Sequence, residues 1–192
     1  MEREIVEKKK NPADRYGDTP LHFAAQEGHL EICSLIIENI SDKNPFSRGR
    51  TPLHYAAAQG HIEVCRLILD KVVVINPSED GGITPLHDAA ENGRLEVCRL
   101  IIENLITMDW IPDCVRNPAD RNGDTPLHKA TLMGHLDVCL LIIENVQDKN
   151  KVISGPLGQR ILHLARQQGH HELLELFKMY SSRVLLERVT RD

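Results

Sequence analysis

Apolar residues recur along this chain in short stripes with helical spacing, and glycine-containing polar segments separate the stripes. One stripe near the start of the chain comprises Leu30, Ile32, Cys33, Ile36 and Ile37. This spacing places the apolar side chains on one face of a helix. A unit that carries a single apolar stripe cannot bury it alone, so the pattern predicts neighbouring units that stack against each other.

The tetrapeptide Thr-Pro-Leu-His marks a repeat. Its copies begin at Thr19, Thr51, Thr84 and Thr125, at intervals of 32, 33 and 41 residues, and a degenerate copy, Arg160-Ile161-Leu162-His163, follows. Each clear copy continues with similar residues, which in the first are paired alanines, a Gly-His pair and the apolar stripe. Self-similarity at such a period is the signature of a repeat architecture.

Local chemistry explains the residue types of this unit. Proline suits the first turn of a helix, and Thr19 before Pro20 can cap that turn. The following Ala24 and Ala25 are small enough to let two antiparallel helices approach closely. Gly28 offers the permissive backbone that is needed to end the first helix. The unit is therefore predicted to be a pair of helices joined by a turn.

These residues resemble the ankyrin repeat, a unit of about 33 residues in which Thr-Pro-Leu-His-x-Ala belongs to a turn-plus-two-helix module. The resemblance covers roughly residues 11 to 177. It implies an all-α ankyrin-repeat solenoid, in which helix–turn–helix units stack and β-turn fingers project. Residues 11–17 match such a finger, with Gly17 at its tip.

On this basis we divide the chain into three parts. Residues 1–10 are expected to form a partial N-terminal capping helix, although they also fit the end of a preceding repeat in a longer array. Residues 11–177 form the ankyrin-repeat domain of about five repeats, with about eight extra residues near 106–114. Residues 178–192 are a C-terminal helical extension.

The chain departs from the family pattern in three places. The glycine that ends the second helix in the family is missing, and Asn39, which tolerates the left-handed conformation, is expected to replace it. The insertion contains Trp110 and Cys114. Trp110 is a candidate interface anchor, and packing against the outer helices of repeats three and four is the alternative. The fifth copy lacks threonine and proline, as expected of a terminal repeat that presents one face to water.

Composition and charge narrow the range of functions. The chain is 41% hydrophobic and 27% charged, and its net charge of −5 disfavours nucleic acid, whose binding requires a basic surface. No apolar run reaches the roughly 18–20 residues that cross a bilayer, and the charged N-terminal residues differ from a secretory signal. We therefore expect a protein of the cytoplasm, or alternatively of the nucleus, that inserts into no membrane and is monomeric on its own.

The cysteines and histidines fit the repeat better than a chemical site. Cys33, Cys65, Cys98 and Cys139 share one repeat position, and because no Cys-x-x-Cys pair exists they are predicted to be buried apolar groups. The resemblance implies that inner-helix histidines such as His22 hydrogen-bond to neighbouring loop backbone. The chain also lacks a phosphate loop, a His-Glu-x-x-His motif and a Gly-x-Ser-x-Gly motif. We expect no enzyme activity, no cofactor and no metal site.

The resemblance also implies a binding face. Partners of ankyrin proteins usually bind the concave surface, which consists of finger tips and inner helices. Transferred by position, and with Trp110 added from the insertion, this surface contains the following candidate partner-binding residues: Arg15, Tyr16, Phe23, Arg48, Arg50, Tyr55, Asp88, Glu91, Lys129, Leu132 and Met133.

The chemistry of this surface changes along the stack. Aromatic residues backed by Arg48 and Arg50 gather at one end, and this is the composition of an interface hot spot. Asp80, Asp88 and Glu91 are expected to make the middle acidic, and the fourth repeat contributes apolar residues. We therefore expect the partner to be an extended segment or a helix, with an apolar anchor near repeats one and two and a basic residue near repeat three.

Two functions remain open at this point. The first is a non-enzymatic adaptor or scaffold that binds another protein. The alternative is a structural or regulatory spacer of a larger protein, which docks through its convex face or its terminal helix. The resemblance adds one modification hypothesis, because in some ankyrin proteins an asparagine two residues after an acidic residue is hydroxylated. Asn44 and Asn150 match that placement.

Overall fold

The computed structural model describes residues 12–72, 77–78, 81–106, 118–145 and 156–189, and for residues 157 and 181–189 it describes the backbone alone. In these ranges the chain forms ten helices and no named strand. The helices are α1 Pro20–Gln26, α2 Leu30–Asn39, α3 Pro52–Gln59, α4 Ile62–Leu69, α5 Pro85–Glu91, α6 Leu95–Ile106, α7 Pro126–Met133, α8 Leu136–Asn145, α9 Pro156–Gln167 and α10 His171–Val189. The prediction of an all-α fold is confirmed.

The helices form five pairs that stack in single file. Within each pair an inner helix packs against the outer helix that follows it, as α1 does against α2. Each inner helix also packs against the next inner helix, from α1 through α3, α5 and α7 to α9. The outer helices α2, α4, α6 and α8 follow the same order. The principal contacts among the described helices therefore join neighbouring repeats, which is the geometry of a solenoid.

The Thr-Pro-Leu-His residues begin each of the first four inner helices. Thr19 is the N-cap of α1 in extended conformation, as predicted, and Pro20 is the first helical residue. The ring of His22 completes the cap, because its Nδ1 accepts a hydrogen bond from the Thr19 backbone N–H at 3.0 Å and lies 2.9 Å from Thr19 Oγ1. Leu21 between them is fully buried. Equivalent contacts recur at the threonines of the next three repeats.

The inner-helix histidines also reach forward to the next repeat. Because Nδ1 accepts from the threonine N–H, Nε2 carries the proton and donates to a carbonyl oxygen of the next finger. The Nε2–O distances are 3.4 Å from His22 to Arg50, 3.3 Å from His54 to Ile83 and 3.1 Å from His87 to Asp124. The predicted contact between these rings and loop backbone is confirmed. His163 of the last repeat is instead exposed.

A second set of contacts runs backward between repeats. His61, at the start of α4, places its Nε2 3.0 Å from the carbonyl oxygen of Gln26 at the end of α1. Arg94, His135 and His170 make the same kind of contact one repeat further on each time. Carbonyls at a helix end lack partners within the helix, so each repeat satisfies the helix end of the one before it.

Glycine is required at the turns against which the side chains of these backward contacts pack. Gly28 has φ +73°, and a Cβ there would lie 2.5 Å from Nδ1 of His61. Gly134 has φ +81°, and its Cβ would lie 2.5 Å from Cε1 of His170. Gly169 has the same φ as Gly28, but no neighbouring atom would lie within 4 Å of its Cβ. Gly28 and Gly134 therefore serve both the turn and the close approach of the next repeat.

The repeated cysteines lie in the core between the helices. Cys33, Cys65, Cys98 and Cys139 are free and fully buried. Burial raises the pKa of the Cys33 thiol to about 11 and the pKa of the other three to about 12. The prediction that they are buried apolar groups is confirmed, whereas Cys114 lies outside the described residues.

The end of α2 corrects one expectation. Asn39 does not adopt the left-handed conformation, because it remains the last residue of the helix. Its side-chain Nδ2 donates to the carbonyl oxygen of Leu35 at 2.7 Å, and Lys43 Nζ donates to the carbonyl oxygens of Ile37 and Ile40. Two side chains thus satisfy the helix-end carbonyls that a left-handed turn would otherwise bind.

The glycine contacts predict unequal costs of substitution. Gly169→Ala should lose only the roughly 1–2 kcal/mol that a left-handed non-glycine residue costs. Gly134→Ala must also displace the His170 ring and its hydrogen bond, which adds at least about 1 kcal/mol. Urea unfolding of the two variants measures the difference. Equal losses would show that the ring moves aside at no cost.

Burial of the histidines predicts a loss of stability in mild acid. Desolvation lowers the pKa of His54 to about 3 from 6.5, and it also lowers the pKa of His22 and His87. Below pH 6.5 the unfolded chain takes up these protons before the folded chain does. The free energy of unfolding is therefore highest above that pH and decreases as the pH falls.

For His54 the loss is at most about 1.4 kcal/mol per pH unit. Urea unfolding between about pH 7 and about pH 5 should therefore show a shallower pH slope for His54→Gln than for the intact chain. The exposed His163→Gln is the control and should keep the original slope. An unchanged pH slope in both variants would show that burial of His54 does not cause the loss of stability.

Candidate partner-binding surface

The first finger is shaped by an aspartate at its base. Asp14 Oδ1 accepts hydrogen bonds from the backbone N–H groups of Tyr16 at 2.8 Å and Asp18 at 2.9 Å. Gly17, at φ +90°, closes the turn. A short acidic side chain that binds the backbone ahead of it is a common way to hold a tight turn. This arrangement presents Arg15 and Tyr16 at the tip.

The second finger is a two-residue hairpin. Ser47 and Arg50 exchange two backbone hydrogen bonds of 2.7 and 2.8 Å. Between them Arg48 and Gly49 have φ +50° and +80°, as in a type I′ turn. Among the described residues Arg48 is the only non-glycine residue with positive φ, and this conformation costs a residue with a Cβ roughly 1–2 kcal/mol.

The two fingers are joined around one tyrosine ring. Ser47 Oγ donates to the carbonyl oxygen of Tyr16 at 3.1 Å. The guanidinium carbons of Arg48 and Arg15 lie 3.9 Å and 4.5 Å from the centroid of the Tyr16 ring. Both distances fall within the range of cation–π attraction. Tyr16 nevertheless keeps 47% of its surface exposed.

The second half of the surface lies on the inner helices. The Arg50 guanidinium carbon is 5.5 Å from the Tyr55 ring centroid, and Arg50 forms an ion pair with Asp88 of the third repeat. The Tyr55 ring meets the His22 ring edge-on, with centroids 5.8 Å apart. Burial raises the pKa of the half-buried Tyr55 hydroxyl. We call Arg15, Tyr16, Arg48, Arg50 and Tyr55 the aromatic–arginine cluster.

Phe23 is a further exposed aromatic residue, on the helix that follows the first finger. It follows His22 in α1, as Tyr55 follows His54 in α3, and 53% of its surface is exposed. The structure thus brings most of the residues predicted for the first two repeats into one region.

The acidic middle of the surface differs from the expectation. Asp88 is 5% exposed and paired with Arg50, so it is not an open acidic group. Arg50 causes this, because it reaches from its finger to the inner helix of the next repeat. Glu91 is partly buried, and its carbonyl oxygen accepts a hydrogen bond from His135. Asp80 lies outside the described residues.

The fourth repeat places its predicted residues separately from the cluster. Lys129 Nζ lies 3.6 Å from Asp120 Oδ2. Burial acts to raise the pKa of Asp120, but backbone N–H groups of Asp124 and Asn122 and the Lys129 charge hold it below its ordinary value. Lys129 therefore serves the finger beside it.

The remaining candidates of the fourth repeat are apolar. Leu132 is partly buried, and its carbonyl oxygen accepts the hydrogen bond from His170. Met133 is exposed. Trp110 of the insertion lies outside the described residues.

Sequence reasoning missed several residues that shape this surface. The Asp-x-x-Gly-Asp-Thr pattern at Asp14 and Asp120 is a readable signal for the turns, because both side chains bind backbone two and four residues ahead. Ser47 lies at a finger position of the predicted concave surface, but its hydrogen bond to Tyr16 could not be read from the sequence, since Tyr16 lies 31 residues earlier. Phe46, which is also exposed, was not among the candidates.

Two absences among the described residues concern metal binding and membrane insertion. The described part of the chain contains no group of three or more His, Cys, Asp or Glu side chains placed to hold a metal ion. No helix within the described ranges is both long and apolar enough to cross a membrane.

Comparison with known proteins gives a clear family match. The family model for ankyrin repeats matches the chain in three overlapping copies, over residues 3–79, 39–110 and 73–153. Together these matches cover the four clear Thr-Pro-Leu-His units. No curated protein shows significant similarity to the chain.

The ion pair between Arg50 and Asp88 predicts a stability effect. Arg50→Met would leave the nearly buried Asp88 carboxylate without its cation, which should cost about 1–3 kcal/mol after allowance for the partial exposure of Arg50. Arg66→Met is the control, because Arg66 pairs with Glu63 at 3.7 Å on the exposed side of α4. It should cost less than about 1 kcal/mol. Urea unfolding compares the two, and similar losses would contradict the role of Arg50.

Proposed function

This chain belongs to the ankyrin-repeat family, and we propose that it is a non-enzymatic adaptor or scaffold that binds a segment of another protein. Ankyrin repeats are in general protein–protein interaction modules. The proposed site is the concave surface of finger tips and inner helices, with the aromatic–arginine cluster and Phe23 as its centre.

The observation that carries this proposal is the exposure of aromatic rings on an ordered surface. Tyr16 and Phe23 each leave about half of their surface in water, and Tyr55 is partly exposed. Covering such rings releases water from apolar surface, and tyrosine and arginine are the residue types that dominate interface hot spots. The cluster therefore has the chemistry of an anchor site.

The order of the cluster favours binding further. Ser47 ties the second finger to the first, and the Arg50–Asp88 ion pair ties it to the third repeat. Side chains that are already held lose less conformational entropy when a partner binds. A partner would therefore meet a surface that is formed in advance.

The candidate residues divide by role in this proposal. Arg15, Tyr16, Phe23, Arg48 and Tyr55 contact the partner directly. Arg50, Asp88 and Lys129 hold the surface in shape. Leu132 and Met133 offer a second, apolar contact for a longer segment. Glu91 and Trp110 stay candidate contacts, of which Trp110 lies outside the described residues. We place the protein in the cytoplasm or nucleus and take it to be monomeric without its partner.

A spacer that docks through the convex face or the terminal helix is the second candidate. It is favoured by α10, which has 19 residues where α2, α4, α6 and α8 have 8 to 12. Met179 of α10 is exposed, and so are Ile32 and Leu35 of α2. These apolar side chains would be the contacts in that case.

Site-specific photo-crosslinking tests the two functions against each other. A benzophenone amino acid is placed at Phe23, at Met179 or at Glu96, an exposed position on α6 that serves as the control. The adaptor function predicts a crosslinked partner from position 23 alone. Tyr16→Ala in the same chain should weaken the affinity for that partner by about tenfold, since truncating a hot-spot residue costs more than about 1 kcal/mol.

The other outcomes of this experiment are equally informative. A product from Met179 but not from Phe23 would replace the adaptor function with the spacer function. Products of equal yield from all three positions would show non-specific contact and would contradict the proposed site.

A further inference from the structure

We propose that the segment bound at the aromatic–arginine cluster is acidic, with carboxylates placed against Arg15 and Arg48. This inference deepens the proposed function and depends on it, because it specifies the chemistry of the partner at the same site. It concerns repeats one and two; the basic partner residue expected near repeat three rested on Asp80, Asp88 and Glu91, of which Asp88 is paired with Arg50.

The guanidinium groups of Arg15 and Arg48 have no carboxylate partner among the described residues. Arg15 and Arg48 are both exposed, and neither forms an ion pair within the described ranges. Arg50, Arg66, Arg99 and Arg160 are paired with acidic side chains, whereas Arg94, Arg121 and Arg166 form no ion pair within the described ranges either. The exposed end of the cluster therefore keeps its hydrogen-bond donors available.

Both guanidinium groups are held by an aromatic ring. The guanidinium carbons of Arg15 and Arg48 lie over the Tyr16 ring, 4.5 Å and 3.9 Å from its centroid. A guanidinium carries a fork of N–H donors, two of which match the two oxygens of a carboxylate. Attraction to the Tyr16 ring thus positions the groups without a carboxylate among the described residues.

The backbone of Arg48 has an unfavourable conformation with positive φ. A two-residue turn with positive φ at both central positions favours asparagine and glycine, and Gly49 follows that preference. Arg48 carries the conformational cost of a Cβ in the left-handed region. A strained residue of this kind motivates a hypothesis of function, and here the side chain that the strain positions is a guanidinium over Tyr16.

The nearby carboxylates do not pair with the guanidinium groups of Arg15 and Arg48. Asp14 Oδ1 accepts two backbone hydrogen bonds inside the first finger, and Asp88 is buried against Arg50. Asp18 is partly buried, with Oδ1 enclosed. The net charge of −5 gives no long-range attraction for an acidic partner, so recognition acts at contact distance, within the Debye length of about 8–10 Å, where salt weakens the attraction only in part.

Phe23 adds an apolar requirement. It lies on α1, the helix that begins directly after the first finger, and its ring is half exposed. A segment that alternates acidic and large apolar residues would satisfy both the guanidinium groups and this ring. The partner that fits this surface is therefore an acidic–apolar peptide segment.

Fluorescence anisotropy with defined probes tests the inference on the full chain. The probes are three labelled peptides of one length that contain leucine and phenylalanine alternating with glutamate, glutamine or lysine. A labelled oligothymidylate is the fourth probe, because single-stranded nucleic acid also combines negative charge with rings that stack on tyrosine. We expect the glutamate peptide to bind at least about tenfold more tightly than each other probe, and to weaken as salt rises.

Substitution then assigns the preference to the two arginines. Arg15→Gln with Arg48→Gln should reduce binding of the glutamate peptide by about tenfold or more, a larger loss than for the weakly bound glutamine peptide. Arg66→Gln, on the outer helix α4, is the matched control and should change nothing. Urea unfolding checks that the variants remain folded.

Several results would overturn the inference. Equal binding of the glutamate and glutamine peptides, tighter binding of the lysine peptide, or loss of binding in Arg66→Gln would each contradict it, and tightest binding of the oligothymidylate would assign the site to nucleic acid. Crosslinking from Phe23 separates this failure from failure of the proposed function. A partner that is still crosslinked to the Arg15→Gln, Arg48→Gln chain at full yield would leave the adaptor function standing and remove the acidic preference.

Discussion

The structure depends on hydrogen bonds that each repeat cannot complete within itself. An inner helix ends in carbonyls without partners, and its first turn carries a buried histidine whose Nε2 proton needs an acceptor. The next repeat supplies both, because its finger offers a carbonyl to the histidine and its outer helix sends a ring back to the helix end. A buried polar group without a partner is costly, so these contacts set the spacing and orientation of neighbouring repeats.

The same stacking decides which apolar surface is covered. Leu35 of α2 and Leu100 of α6 occupy the same repeat position, yet the first is 64% exposed and the second 6%. Leu100 belongs to the buried core, and its helix α6 contacts both α4 of the preceding repeat and α8 of the next, whereas within the described residues no repeat precedes α2. The side chain is identical, and only its neighbours differ. Burial in a solenoid is therefore a property of the interface between units.

The candidate site follows from this rigid stack. The fingers are close enough for Ser47 to bind Tyr16, for Arg48 to cover the Tyr16 ring and for Arg50 to reach Asp88. Each contact joins two repeats, so the surface is continuous across the first three. A binding site assembled in this way is ordered before a partner arrives, and its chemistry comes from residues that vary between repeats while the scaffold stays constant.

The sequence by itself determined the repeat, its all-α class, the caps at Thr19 and its equivalents, and the burial of the cysteine column. These features depend on residues within one unit, whose local spacing suffices to predict them. Only the tertiary structure decided that Asp88 is buried under Arg50, that Asn39 stays helical and that His61 reaches back to Gln26. Most such contacts join atoms of different repeats, and their distances depend on how the units stack, which local sequence does not encode.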